Sequence, residues 1–170
     1  MGRDKALLPF GGYATLAEYQ YRRLLPLFSS VYLSAKDDKF PFDAPLIFDR
    51  EEIFAPTAGL LAAFDALDGD FFVLGVDTPF VEADVFDAIV EAYRKEEADA
   101  YIARSPSGSH PACGIYTRRL IPALQSMVRE GNHRLHYLLK VCETRFVDFD
   151  DDGPFYNINR PDEYERALAL

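Results

Sequence analysis

The chain has 170 residues, 49% of them hydrophobic, enough for one domain that buries about 70% of its unfolded surface but not for a second complete domain. Its 28 acidic and 18 basic residues give a net charge of -10, which disfavours a partner gripped over a broad surface by phosphate neutralisation, nucleic acid first among them. Two cysteines, Cys113 and Cys142, are too few and too far apart for a disulfide scaffold or a thiolate zinc site. With no secretory leader read and no apolar run of the roughly 18 residues a membrane span needs, a soluble cytoplasmic protein without a membrane partner is expected.

In chain order, Thr15 to Phe28 carries Leu16, Tyr19, Leu24, Leu25 and Phe28 at mostly helical spacing, with Thr15 as N-cap and Glu18 completing a capping box. Val31 to Ala35 and Pro45 to Phe48 read as short buried strands that end at Lys36-Asp37-Asp38 and at Asp49. Ala58 to Leu67 predicts a helix, and Asp68-Gly69-Asp70 turns the chain into the apolar strand Phe71 to Val76. Glu82 to Ala98 is an amphipathic helix and Asp99 to Ala103 a strand. A Ser/Gly/Pro-rich loop from Ser105 to Pro111 precedes a strand at Ala112 to Thr117. Helices are expected over Arg118 to Arg129 and His133 to Val141, a strand over Thr144 to Phe149, and a last helix opened by Pro161. Strands apolar at nearly every position, alternating with amphipathic helices, predict a single-domain α/β fold, a doubly wound and mainly parallel sheet with helices on both faces.

Ligands of such sheets sit beyond the carboxyl ends of the strands, which draws attention to Ser34, Asp49 and Asp77. Asp77 closes an apolar strand and precedes Thr78-Pro79; it suits a hard cation such as Mg²⁺, and equally a helix N-cap or a turn aspartate. Asp49 has a similar placement, with a loop residue pairing with Arg50 or a nearby helix terminus as the alternative. Lys5, in Gly2-Arg3-Asp4-Lys5, can neutralise a phosphate or remain a solvated surface residue. His110-Pro111 lies in the polar loop, where a histidine contacts a ligand only in the minority of cases. His133 and His136, three apart on a helix without a third ligand, read as structural. Asp148, Asp150, Asp151 and Asp152 lack the spacing of a calcium loop and read as a solvated turn. In Tyr156-Asn157-Ile158-Asn159-Arg160-Pro161 an extended chain would point Asn157 and Asn159 the same way, fit to read the polar edge of a heterocycle, although capping of the helix at Pro161 is the expected role of Asn159.

Four segments, Met1-Gly2-Arg3-Asp4-Lys5-Ala6-Leu7-Leu8, Ala55-Pro56-Thr57-Ala58-Gly59, Val76-Asp77-Thr78-Pro79 and Asn157-Ile158-Asn159-Arg160-Pro161, together resemble the molybdenum cofactor guanylyltransferases, MobA-like members of the NTP-transferase superfamily. Their order and separations match across essentially the whole chain, and His110-Pro111 ahead of an apolar strand fits the same pattern. The resemblance implies a Rossmann-like nucleotidyltransferase domain over residues 1–170 that joins GMP from GTP to the phosphate of molybdopterin and releases pyrophosphate. It implies that Lys5 contacts the nucleotide phosphates, that Ser34 stands where the family often has an asparagine near the nucleotide, and that Asp49 helps hold the guanosine. It places Mg²⁺ on Asp77, making Lys5 and Asp77 the catalytic pair, and Asn157, Asn159 and His110 on the pterin side. Molybdoenzymes or their chaperones are the implied recipients of the product. Phosphoryl chemistry of this kind needs charge neutralisation and in-line positioning rather than a covalent nucleophile.

The family opens with a hydrophobic strand and a glycine-rich loop, L-A-G-G-x-S-x-R-M-G, of which Met1-Gly2 alone is present. The expectation is a chain whose start is trimmed or lies upstream, with two strands left lacking a neighbour. That loop also helps separate guanylyl from cytidylyl transfer, so a related cytidylyl- or other NTP transferase remains an alternative, as does a non-catalytic pterin carrier.

Overall fold

A computed structural model describes residues 4–49 and 55–169. Local chemistry sets where the helices begin. Thr15 Oγ1 accepts from the Glu18 backbone N–H (3.0 Å) and starts α1 (Leu16–Leu24), as its sequence predicts. Proline occupies one of the first two positions of α2 (Pro56–Ala66), α4 (Ile121–Arg129) and α6 (Pro161–Leu168), where its missing N–H costs no hydrogen bond. The amphipathic α3 (Ala83–Lys95) and the short α5 (Leu135–Val141) complete the helices among the described residues. Residues 118–120, expected to be α-helical, form a separate 3-10 turn ahead of α4.

The strands form two sheets. In the first, β1 (Leu33–Ala35) and β2 (Leu46–Phe48) pair in parallel. In the second the order is β3 (Phe71–Leu74), β5 (Gly108–Tyr116), β4 (Ala100–Ser105), β6 (Thr144–Asp148). Here β3, β4 and β6 run the same way and β5 alone is reversed, antiparallel to both neighbours, so the sheet is mainly parallel. Among the described residues β1 pairs only with β2 and β3 only with β5, each therefore a strand at the edge of its sheet. All four residues of β3 accordingly keep partial exposure despite being Phe, Phe, Val and Leu.

Alternation along β4 divides the core between two faces. Ala100 and Ile102 join Leu60 and Phe64 of α2, Leu124 and Met127 of α4 and Leu138 and Leu139 of α5. Tyr101 and Ala103 join Val85, Phe86 and Ile89 of α3, with Cys113 and Ile115 of β5. Each fully buried leucine or isoleucine contributes about 1.5–3 kcal/mol, so the sheet is clamped from both sides, the doubly wound α/β arrangement expected. Gly114 has to be glycine, because a Cβ there would lie 2.2 Å from the Tyr101 carbonyl oxygen across the β4–β5 ladder.

One expected element is corrected. The loop assigned to Ser105–Pro111 is mostly strand: Ser105 pairs with Gly108 and Arg104 with Ser109, leaving Pro106 and Ser107 as a two-residue turn. The first half of β5 overhangs the carboxyl end of β3, which pairs only with residues 113–116. Polar residues are tolerated on that overhang because part of it faces no neighbouring strand, and this gives a strand the composition of a loop.

Candidate active site

The carboxyl end of β3 gathers three separated segments, each held by backbone contacts. The chain leaves β3 through Gly75, whose N–H donates to the Ala112 carbonyl of β5 (2.7 Å), and the buried Thr78 folds back with its Oγ1 on the Gly75 carbonyl (2.8 Å). Asp77 sits at the tip of this loop. Its carbonyl accepts from the Ile158 N–H (2.9 Å), which fastens the 157–159 segment alongside. Ile158 is fully buried with Phe10, Leu16 and Ala167, while Asn157 and Asn159 on either side are exposed, so the alternation expected of an extended segment is present. Lys5 belongs to a 3-10 turn, Lys5–Leu7, capped by Asp4, whose Oδ1 accepts from the Ala6 N–H (3.0 Å) and whose other oxygen pairs with Lys39.

These segments meet at one cation. Lys5 Nζ donates to Asp77 Oδ2 (3.0 Å) and to Asn159 Oδ1 (2.7 Å). Lys5 is therefore not a freely solvated terminal lysine, and Asn159 is not the helix cap: the N-cap of α6 is Arg160, while Glu163 Oε2 accepts from the backbone N–H groups of Asn159 (2.7 Å) and Arg160 (2.9 Å). With Glu163 satisfying those donors, the Asn159 side chain is released to face Lys5. Nor does Asp77 cap a helix, since α3 begins at Ala83 behind Glu82. The other Asp77 oxygen packs over Gly75, where a Cβ would approach Oδ1 to 2.8 Å, so a larger residue at 75 would push the carboxylate aside.

Asp49 directly follows β2, half-buried with its N–H on the Ala35 carbonyl (3.1 Å), whereas Ser34, expected beyond a strand end, is the exposed middle residue of β1 opposite Ile47, because β1 starts only at Leu33 and still includes Ala35. Ser34 Oγ is 3.5 Å from where a Cβ on Gly59 of α2 would stand, so the first turns of α2 link these residues to the rest of the edge. Arg50, one alternative partner of Asp49, and Met1-Gly2, the end of the glycine-rich pattern, lie outside the described residues.

On the β5 overhang His110 stacks on Phe155, with centroids 4.2 Å apart and rings 11° from parallel, and its Nε2 meets Ser105 Oγ (2.7 Å). Ser105 donates its single proton to Asp152, which also accepts from the Ser107 N–H (3.0 Å). The hydroxyl can then only accept from His110, which puts the imidazole proton on Nε2 and leaves Nδ1 as the lone-pair nitrogen of the neutral ring. Burial pushes the imidazole below its usual 6.5 against the opposing charge of Asp152, while the Ser105 hydroxyl and Ser107 N–H hold the Asp152 carboxyl below 3.8. The aspartates are thus more than a solvated turn: Asp148 pairs with Arg104 across the β4–β6 ladder (2.8 Å) and Asp152 fixes a histidine.

Because the folded chain binds the His110 proton less readily than the unfolded one, His110 adds stability above pH about 6.5 that is lost as pH falls toward the lower folded value. Thermal melts should therefore show a decline between about pH 7.5 and pH 5.5 that is shallower in His110→Gln; equal slopes would remove His110 as its source.

His133 and His136 both border a cleft in the surface, an open one of about 840 Å³ between α5 and β5, with Pro56, Pro111, Ala112, Arg134 and Lys140 among its other walls. His133 Nδ1 meets Thr57 Oγ1 of α2 (2.7 Å) and its Nε2 is buried without a partner; His136 Nδ1 lies 3.4 Å from Ser109 Oγ. Since Ala112 holds Gly75, this basic cleft borders the edge that carries Asp77. Its basic side chains come from one stretch, the turn before α5 and α5 itself, while α2 and β5 supply the opposite wall that the sequence does not reveal. No group of three or more His, Cys, Asp or Glu suited to a metal is found among the described residues, and no described helix is long and apolar enough to cross a membrane.

Residues 1–145 match the MobA-like NTP transferase domain. A molybdenum cofactor guanylyltransferase of Helicobacter pylori (strain J99) is 32% identical over 169 residues, covering 98% of this chain and 79% of that protein. The crystal structure of molybdopterin-guanine dinucleotide biosynthesis protein A from Archaeoglobus fulgidus superposes with a TM-score of 0.85 at 23% identity, over 99% of this chain and 90% of the other. A Mycobacterium tuberculosis H37Rv protein solved in complex with manganese shares the fold at 18% identity and a TM-score of 0.63, over 99% and 94% of the two chains.

Proposed function

The chain belongs to the MobA-like NTP transferase family and is a nucleotidyltransferase, and on that premise we propose that it transfers GMP from GTP to the phosphate of molybdopterin, releasing pyrophosphate. The observation that carries this reading is the convergence of Lys5, Asp77 and Asn159 on one contact at the carboxyl end of β3. Attack by an acceptor phosphate oxygen on the α-phosphorus forms one P–O bond and breaks the bond to the β-phosphate, whose two phosphates leave as pyrophosphate. Both reactants are anionic, so the barrier is lowered by cations placed between them and by in-line alignment.

Lys5 supplies one such charge, held in place by Asp77 and Asn159. Asp77 suits a divalent cation, Mg²⁺ in this reading. A hard cation of this kind takes one or two protein carboxylates and completes its shell with substrate phosphates and water, so a lone carboxylate packed over Gly75 fits where a full protein cage is missing among the described residues. Bound there, the ion would neutralise charge on the phosphates. Ser34 and Asp49 would hold the nucleoside along β1 and β2. Asn157 and Asn159 present amides, and His110 a lone-pair nitrogen, to the polar edge of the pterin. The cleft of His133, Arg134, His136 and Lys140 offers the acceptor phosphate a basic wall next to this edge.

Calorimetric titration with GTP, CTP and ATP, with and without Mg²⁺, tests the reading. Selective Mg²⁺-dependent binding of GTP is expected; preference for CTP would make the chain a cytidylyltransferase, and no nucleotide binding by the folded chain would overturn the proposal. In turnover assays Arg134→Ala should raise KM for the acceptor roughly 10-fold, the loss of one charged hydrogen bond, with KM for GTP unchanged. A rise in the GTP value instead would move Arg134 to the nucleotide side.

A further inference from the structure

The loop that carries Asp77 has no regular secondary structure between β3 and α3, yet its carbonyls converge on one buried side chain. Gln20, in the middle of α1 and 4% exposed, directs Nε2 at the carbonyl oxygens of Gly75 (3.3 Å), Val76 (3.3 Å) and Thr78 (3.1 Å). An amide could face either way, and its orientation is fixed from the opposite end: Arg23, one turn later, donates from Nε to Gln20 Oε1 (2.5 Å) and from Nη1 to the Val81 carbonyl (2.6 Å). Both donors therefore belong to α1, and their acceptors span residues 75–81 on either side of Asp77.

We propose that Gln20 and Arg23 are positioning residues for Asp77, a two-residue clamp on α1 that holds the loop by its carbonyls and so fixes where the carboxylate stands. The hydrogen bonds of both side chains go to loop carbonyls and to each other rather than to the Asp77 carboxylate or the Lys5 ammonium, so their role is positional and not catalytic. The same α1 helix reaches the site from its other side, since Leu16 N–H donates to the Leu8 carbonyl (2.6 Å) just past the turn that carries Lys5. One helix thus braces both halves of the Lys5–Asp77 pair, and a shift of the 75–78 loop would separate them.

Hydrogen exchange on the full chain tests the clamp without relying on turnover. In Gln20→Met, of similar volume but without donors, exchange of the Thr78 and Ile158 amides, which bond to the Gly75 and Asp77 carbonyls, should accelerate at least 10-fold relative to the Ile102 amide in β4. Unchanged exchange at those two amides, or equal acceleration at Ile102, would overturn the proposal. Arg23→Lys, which keeps the charge but cannot reproduce the fork, should give a smaller change of the same pattern and serves if Gln20→Met fails to fold; a wild-type pattern in it would remove Arg23 from the clamp.

The second arm rests on the reading of Asp77 as a metal carboxylate. Titration of Mn²⁺ in the presence of GTP should show about 10-fold weaker binding in Gln20→Met than in wild type, and no further loss when Gln20→Met is added to Asp77→Ala. Additive losses would mark Gln20 as merely structural. Failure of the wild type to bind Mn²⁺ with GTP would overturn the metal reading while leaving the exchange result to decide the clamp.

Discussion

Asp77→Ala should lower Mg²⁺-dependent turnover by about 10³-fold or more while leaving the melting temperature nearly unchanged. The two halves of this expectation have separate grounds. The fold survives because the contact that fastens the 157–159 segment uses the Asp77 carbonyl, which every side chain retains, and because a half-exposed pair such as Lys5–Asp77 adds only about 0–1 kcal/mol. Activity fails because the one carboxylate assigned to the cation is gone, and no group of three or more His, Cys, Asp or Glu suited to a metal is found among the described residues to replace it. Asp77→Asn separates charge from shape: it can still accept from Lys5 but loses the anionic charge that binds a hard metal, so it should fall nearly as far as the alanine variant. Steady-state rates across a Mg²⁺ titration, beside melts of each variant, make the comparison. Full activity in Asp77→Ala would remove Asp77 from the metal role; a collapsed melting temperature would make its role structural.

Much of the architecture was legible because apolar runs and helical spacing report burial directly. Thr15 as a cap, Pro161 at a helix start and the apolar β3 each follow from a local rule that the environment did not override. The sequence misled where residues answer to distant partners. Asn159 sits two residues before the helix start and so looks like a cap, but Glu163 from within α6 takes that task and leaves the amide for Lys5, 154 residues away. Gln20, which the helical spacing of α1 leaves unremarked, is buried because a loop without regular structure uses its donors. His110 lies in a segment with the composition of a loop that is in fact the overhang of β5. In each case the deciding contact is one that neither periodicity nor composition encodes. The resemblance of the four quoted segments brought Lys5, Asp77 and Asn159 together; the geometry puts them within one set of hydrogen bonds, and it adds Gln20, Arg23 and Ser105, which carry no local signal, and a role for Asp152 and the stretch around Arg134 that their local patterns alone did not specify.

Lys5→Ala should act on the nucleotide more than on the chemical step, raising KM for GTP about 10- to 100-fold, as expected for a charged hydrogen bond of roughly 1.5–3 kcal/mol. Its removal also leaves the Asp77 carboxylate without the ammonium that offsets it at 3.0 Å, so an approaching triphosphate meets a bare anion until the cation arrives. The deficit should therefore be largest at low Mg²⁺ and shrink as Mg²⁺ is raised, whereas the Asp77→Ala deficit should persist at every concentration. Lys5→Arg keeps the charge on a wider, planar head and should recover part of the affinity. The position of Lys5 makes the test clean, because its turn is capped by Asp4 through the Ala6 backbone, a bond that the alanine variant retains. Initial rates over a grid of GTP and Mg²⁺ concentrations resolve these cases. A KM that is unchanged throughout would return Lys5 to the role of a structural partner for Asp77 and Asn159; a loss confined to kcat would place its charge on the transition state rather than on the bound nucleotide.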